Sequence, residues 1–199
     1  SELRLTTSRY YTPSGRNIQK PYEGGNLDAY YREYYERYIS GELYSEDSIK
    51  VADSLLFKTA KGRTVFGGGG IMPDYFVPLD TSGNTTLLTQ IFNTSSIHEF
   101  AFEYARKNEV EFKEMGLERF IAEYRVSDAT LNDLLASAEK NGVKRNNRQF
   151  QTSKELLRLY LKAFIGRGIW DNEAFFPVIN QRDEIITKAL TLIEAAKGL

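Results

Sequence analysis

Thr81-Ser82-Gly83-Asn84, followed directly by Thr85-Thr86-Leu87-Leu88-Thr89-Gln90-Ile91-Phe92, is the stretch at which this 199-residue chain changes its periodicity. The first four residues are polar and turn-forming, so they predict a domain boundary. Leu87, Leu88, Ile91 and Phe92 then recur at helical spacing and form one apolar stripe. Three more stripes follow: Ile97, Phe100, Ala101 and Tyr104; Leu117, Phe120, Ile121 and Tyr124; Leu131, Leu134, Leu135 and Ala138. A long helix carries Leu156, Leu159, Tyr160, Ala163 and Phe164, and a last one carries Ile185, Ile186, Ala189, Leu190 and Ile193. Ser96 with Glu99, and Thr152 with Glu155, have the spacing of capping boxes. Gly142 and Gly198 read as helix stops. Stripes of this kind bury against one another, so residues 81-199 read as an all-α helical C-terminal domain.

Upstream of the boundary the signals are shorter. Residues 3 to 11 alternate Leu3, Leu5 and Thr7 against Arg4, Thr6 and Ser8, which predicts a strand. Thr12-Pro13-Ser14-Gly15 reads as a tight turn, and residues 20 to 26 as a loop. Tyr30, Tyr34 and Tyr38 are spaced by four, as are Tyr31 and Tyr35, so a tyrosine-lined helix is expected, stopping at Gly41. Arg32 and Glu36 fall at pairing distance on it. Residues 45 to 54 predict a second short helix with Ser45 as its cap. Residues 55 to 66 predict a hairpin that turns at Lys61-Gly62. After the glycine run Gly67 to Gly70, Tyr75-Phe76-Val77-Pro78-Leu79 reads as a short strand at a sheet edge or end. The fold class is therefore α+β: a small β-containing half, residues 1-80, followed by the helical half.

Composition narrows the chemistry. The chain is 41% hydrophobic and 27% charged, as soluble globular proteins are. Its net charge of -1 gives no basic footprint for nucleic acid. With no cysteine, disulfides, thiolate metal sites and a cysteine nucleophile are excluded. No apolar run reaches membrane-spanning length.

Several residues invite a sharper reading and carry a plainer one. The glycine run lacks the Gly-Lys-Ser/Thr of a phosphate loop and leads instead into Ile71-Met72-Pro73-Asp74. His98 is the single histidine and has no second ligand at helical spacing, so no metal or other cofactor is expected. Lys144-Arg145-Asn146-Asn147-Arg148 reads as a solvated loop, and Glu109, Glu111, Glu114 and Glu118 as a solvated face. The tyrosines Tyr30, Tyr31, Tyr34, Tyr35 and Tyr38 fit either core packing or an interface.

Two short motifs carry a family resemblance. Leu5-Thr6-Thr7-Ser8-Arg9-Tyr10-Tyr11-Thr12-Pro13-Ser14-Gly15-Arg16, with Ile18-Gln19 after it, and Gly70-Ile71-Met72-Pro73-Asp74 resemble the segment that follows the active site in carboxyl-terminal processing peptidases, the tail-specific serine proteases. Arg9, Tyr10, Tyr11, Pro13, Ser14 and Gly15, and Gly70, Ile71, Pro73 and Asp74, match residue by residue. The resemblance gives them a core-bordering role. In the family the Ser nucleophile and Lys base precede the first motif, so catalytic residues are expected upstream of this chain and none within it. Lys20 to Arg63 is an insertion that many members lack. Leu161-Lys162-Ala163-Phe164-Ile165-Gly166-Arg167 and Asn180-Gln181-Arg182-Asp183 resemble the helical tail of longer members. The resemblance implies a serine endopeptidase working through an acyl-enzyme, upstream catalytic and PDZ-like regions of the same polypeptide, and a polypeptide substrate. It also implies a periplasmic or cell-envelope location. The chain alone is expected to be inactive. An unprotected edge at residues 3 to 11 would favour a homodimer through the β half. The alternative is a helical protein-protein interaction or substrate-docking module.

Overall fold

The structure is a computed structural model that describes residues 3, 5, 7–19, 27–49, 55–67 and 70–197. It is mostly helical with one two-stranded antiparallel sheet, α+β in its coarse class. The chain divides into two compact units, Ser1–Leu79 and Asp80–Leu199.

In the C-terminal unit the helices are α2 (Thr86–Asn93), α3 (Ser96–Lys107), α4 (Glu109–Met115), α5 (Leu117–Glu123), α6 (Asp128–Lys140), α7 (Asn147–Trp170), α8 (Asn172–Ile179) and α9 (Glu184–Lys197), after α1 (Leu27–Ile39) in the first unit. The apolar stripes read from the sequence supply the core: Leu87, Ile91, Ile97, Phe120, Leu131, Leu134, Leu135, Leu157, Leu161 and Ile165 are all buried. α7 is the central element and packs against α2, α3 and α8. Two glycines let it do so. A Cβ on Gly166 would lie 2.8 Å from the Phe120 ring and 2.9 Å from Ala174, and one on Gly168 would lie 2.9 Å from Ala105. Glycine in a helix costs about 1 kcal/mol relative to alanine, so its presence here is explained by the close approach of neighbouring helices.

Side chains satisfy the helix starts. The Thr85 hydroxyl accepts from the Leu88 N–H at 3.2 Å, and Gln149 of α7 accepts from the Leu87 N–H at 2.9 Å. The Ser153 hydroxyl donates to the Gly83 carbonyl at 2.7 Å, pinning the boundary loop to α7. Ser127, Asn146 and Asp183 cap α6, α7 and α9 in the same way. α6 closes on Gly142 with φ +87°, and there the Val143 N–H reaches the Ala138 carbonyl at 3.0 Å.

Both predicted capping boxes are corrected. α3 begins behind Ser95, which sits at φ 57° with no side-chain cap bond. The Ser96 hydroxyl is buried and bonds to Thr94 and Asn141 instead, while Glu99 accepts from Asn141. α7 starts at Asn147, ahead of Thr152. Thr152 therefore lies inside the helix, donating to the Arg148 carbonyl at 3.2 Å. The sequence pattern does not announce α4 and α8. α4 carries acidic residues around its one buried side chain, Phe112, and α8 contains Pro177, so each hides its periodicity.

The N-terminal unit contains α1 (Leu27–Ile39), the strands β1 (Leu56–Lys58) and β2 (Thr64–Phe66), and a 3₁₀ turn at Glu46–Ser48. The hairpin forms as expected, with Leu56 opposite Phe66, Phe57 opposite Val65 and Lys58 opposite Thr64. Its turn closes by the Gly62 N–H to the Thr59 carbonyl at 2.9 Å. α1 ends at Gly41, φ +86°, with the Glu42 N–H on the Arg37 carbonyl.

Three expectations fail here. Among the described residues of 3 to 11, only Tyr11 pairs, in an isolated bridge to Asn17, and Leu3 and Leu5 are exposed. An alternating pattern with no neighbouring strand to bury its apolar face does not make a sheet. Within 45 to 54 the helix reduces to the 3₁₀ turn, and Ser45 makes no side-chain cap bond. Residues 50 to 54 lie outside the described residues. Tyr75 to Leu79 forms no strand; the Leu79 N–H bonds to the Leu43 carbonyl at 2.8 Å. The loop expected over 20 to 26 and the stop at Gly198 also lie outside the described residues.

Candidate functional site

The two motifs meet at the β1–β2 hairpin. In the first, Pro13 and Ser14 occupy a turn closed by the Gly15 N–H to the Thr12 carbonyl at 2.8 Å. The Arg16 main chain bonds back to Thr12, and the Ile18 N–H bonds to the Tyr10 carbonyl at 3.2 Å, so residues 10 to 18 form a closed loop. The Ser14 hydroxyl lies 2.9 Å from the Thr12 hydroxyl and accepts from the Arg16 guanidinium at 3.1 Å. A guanidinium is protonated at every relevant pH and cannot act as a base, so this serine is held as a turn residue and not activated. The Arg16 side chain reaches further and donates to the Phe66 carbonyl on β2 at 3.3 Å. Gly15 packs beside the Phe57 ring.

The second motif lies along the same strand. Met72, Pro73 and Asp74 line a cavity of about 290 Å³ together with Glu46, Ile49, Thr64, Val65, Phe66 and Phe76. Asp74 pairs with Arg63, just before β2, at 2.9 Å. Gly70, at φ +121°, has the Ile18 carbonyl 4.0 Å from the place its Cβ would occupy. Motif residues more than fifty positions apart are thus drawn to one strand. Of the matched residues, Arg9, Tyr10, Tyr11, Pro13, Ile71, Pro73 and Asp74 are exposed, while Ser14 and Gly70 are half-buried.

The tyrosine helix faces solvent where it is described. Tyr31, Tyr35 and Tyr38 are 64%, 62% and 46% exposed, and Ile39 beside them is exposed too. Tyr38 stands edge-on to Tyr44, ring centroids 5.7 Å apart, and its hydroxyl raises the Tyr44 pKa above the usual tyrosine value. The side chains of Tyr30 and Tyr34 lie outside the described residues.

A second cluster lies in the helical unit, and the sequence reading did not single it out. Lys154, Arg158 and Lys162 follow one another at i, i+4 and i+8 on α7 and bond to α5, the link after it and the first residue of α6. Lys154 and Arg158 both bond to Asp128, which holds that carboxyl below its ordinary pKa. Arg158 also donates to the Val126 carbonyl. Lys162 is only 5% exposed; its ammonium donates to the Ile121 carbonyl at 2.7 Å and lies 5.7 Å from the Phe120 ring centre. Burial, reinforced by Arg125, pulls its pKa down to about 8. The stripe of bases at four-residue spacing was the available signal. Nearby, burial and a hydrogen bond with Tyr104 that favours the protonated form push the Tyr124 phenol far above its usual range.

Among the described residues no group of three or more His, Asp or Glu is placed to hold a metal ion, and no helix is long and apolar enough to cross a membrane. Residues 87–171, the body of the helical unit and less than half of the chain, are similar to a family described as of unknown function (DUF8443). Comparison with curated proteins and with solved structures gives no match.

Proposed function

We propose that this chain is the C-terminal region of a carboxyl-terminal processing serine peptidase, with the Ser/Lys dyad supplied from outside these residues. The N-terminal unit borders the catalytic core, and the helical unit is an appendage to it. In the complete enzyme a neutral Lys would deprotonate the Ser, which would attack the scissile carbonyl of an unfolded polypeptide C-terminus. By resemblance the enzyme is exported and works in the periplasm or at the envelope, beside a PDZ-like region of the same polypeptide.

The observation that carries this reading is the convergence of both motifs on one hairpin, in a unit whose single fully buried apolar side chain among the described residues is Val65. A piece of a larger β core is expected to look like this: locally ordered turns, apolar side chains directed outward, and little interior of its own. The test is peptidase activity against an unfolded polypeptide. This chain alone is expected to be inactive, and a longer chain including the upstream-encoded region is expected to be active until its nucleophilic Ser is changed to Ala. Inactivity of the longer chain would overturn the proposal.

A second reading has its own support. The family similarity falls wholly within the helical unit, which closes its own core. On that reading residues 81-199 are a protein-protein interaction or substrate-docking module, alone or within the peptidase. Binding of an unfolded polypeptide by residues 80 to 199 in isolation tests it.

A further inference from the structure

We propose that the outer edge of β2 and the cavity beside it form a binding site for an extended polypeptide segment that carries an apolar side chain and, two residues on, a basic one. The site belongs to the N-terminal unit.

The hairpin register decides which main-chain groups are available. The Thr59 N–H bonds to the Arg63 carbonyl and the Gly67 N–H to the Leu55 carbonyl, both at 2.9 Å. In an antiparallel pair, hydrogen-bonded and non-hydrogen-bonded residue pairs alternate. Phe57 and Val65 therefore exchange bonds within the hairpin, and Thr64 and Phe66 turn their N–H and C=O groups away from β1. Arg16 takes the Phe66 carbonyl. The Thr64 N–H and C=O and the Phe66 N–H have no partner among the described residues.

The cavity of about 290 Å³ is lined by all three residues of β2 and by none of β1, so it runs along this open edge. Ile49, Val65, Met72 and Phe76 supply an apolar part of its lining beside the polar groups of Glu46, Thr64 and Asp74, and its size suits one large aliphatic or aromatic side chain. Two carboxylates stand on its lining. Asp74 is neutralised by Arg63 at 2.9 Å. Glu46 has no ion pair or side-chain hydrogen bond among the described residues, and it is exposed. An added strand would bond to the Thr64 main chain, place one side chain in the cavity, and set the basic side chain two residues on, which faces the same side, against Glu46. The Arg16 contact at one end and the Arg63–Asp74 pair at the other limit the added strand to about three residues in register.

The experiment uses the full 199-residue chain and fluorescence anisotropy. The probes are end-capped, fluorescein-labelled peptides: Gly-Thr-Leu-Val-Lys-Gly, the same peptide with Glu in place of Lys, and the Lys peptide N-methylated at Leu. The Lys peptide is expected to bind about threefold to tenfold more tightly than the Glu peptide, the range of a partly exposed ion pair. Glu46→Lys should reverse that preference, and because Glu46 is exposed the variant should fold as the parent does. N-methylation should abolish binding by blocking the main-chain bond. Equal binding of the Lys and Glu peptides, an unchanged preference in Glu46→Lys, undiminished binding of the N-methylated peptide, or no binding of the Lys peptide would each overturn the proposal. So would a dimer that must dissociate before peptide binds, because the edge would then belong to a second copy.

Discussion

The two units of this chain spend their apolar residues in opposite ways. Among the described residues every buried apolar side chain except Val65 lies between Leu87 and Val178, in the helical unit. Most of the exposed large apolar side chains, from Leu3 through Tyr10, Tyr31 and Phe66 to Leu79, precede Asp80. Net composition is not what separates them, since the first unit is rich in Tyr, Leu and Ile. The helical unit repeats its stripes often enough for helices to cover one another, whereas two strands of three residues each and one thirteen-residue helix cannot enclose a core. Apolar content therefore does not by itself make a domain; the elements must be numerous and long enough to face each other.

Paired truncations break this comparison most sharply. Phe120 is fully buried and stacks with Tyr124 at 4.9 Å and against Trp170 at 5.1 Å. Phe120→Ala should cost about 3–5 kcal/mol in urea unfolding of the whole chain. Val65→Ala in the first unit should leave that main transition unmoved, because the unit contributes little to the cooperative core. Equal losses at both positions would mean that the two units share one stability.

The crossing at α7 gives the next effect. Gly166→Ala should destabilise by about 1–3 kcal/mol through overpacking, although alanine is the better helix former. Phe120→Leu in the same chain should recover part of the loss by making room. A Gly166→Ala variant of unchanged or increased stability would contradict the close packing of α7 on α8.

A smaller gain is expected between α7 and α8. Asp171 is held at φ 52°, ψ -138°, a conformation that suits glycine far better than a residue with a Cβ. Asp171→Gly should stabilise the helical unit by about 1 kcal/mol, measured as a shift in urea midpoint at constant slope.

Lys162 supplies a pH dependence. Its pKa in the folded chain is about 8, below the ordinary lysine value of 10.5. Between those two values the unfolded chain holds a proton that the folded chain has released, so stability rises with pH. Below about pH 8 the ammonium is charged in both states and the burial penalty is present in full. Wild type should therefore gain in melting temperature from pH 8 to 9.5 relative to Lys162→Met. Above pH 10 the raised Tyr124 pKa acts in the opposite sense, because the unfolded chain gives up that proton first. Parallel profiles for the two proteins between pH 8 and 9.5 would remove the assigned cause.

The sequence made these two regions legible to different degrees, for a physical reason. Helical stripes such as Leu131, Leu134, Leu135 and Ala138 report directly which face is buried, and the helical unit follows them. Helix starts were less legible. Ser96 with Glu99 has the spacing of a capping box, but the Ser96 hydroxyl is used between helices, by Asn141 at the end of α6. The hairpin was readable because its turn chemistry is local to Lys61-Gly62. The strands expected at 3 to 11 and 75 to 79 were not reliable, because a strand exists only if another chain segment pairs with it, and alternation does not encode the partner. The convergence of the motifs on β2 depends on contacts such as Arg16 to Phe66, fifty residues apart, which no local pattern carries.

Hydrogen exchange on the whole chain tests the difference between the units most directly. Amides in α3, α6 and α7 should exchange only with global unfolding, while those of residues 7–19, 27–49 and 55–67 should exchange many orders of magnitude faster, the β1–β2 hairpin included. Protection in the first unit equal to that of α7 would contradict the account, because that unit would then hold a core of its own.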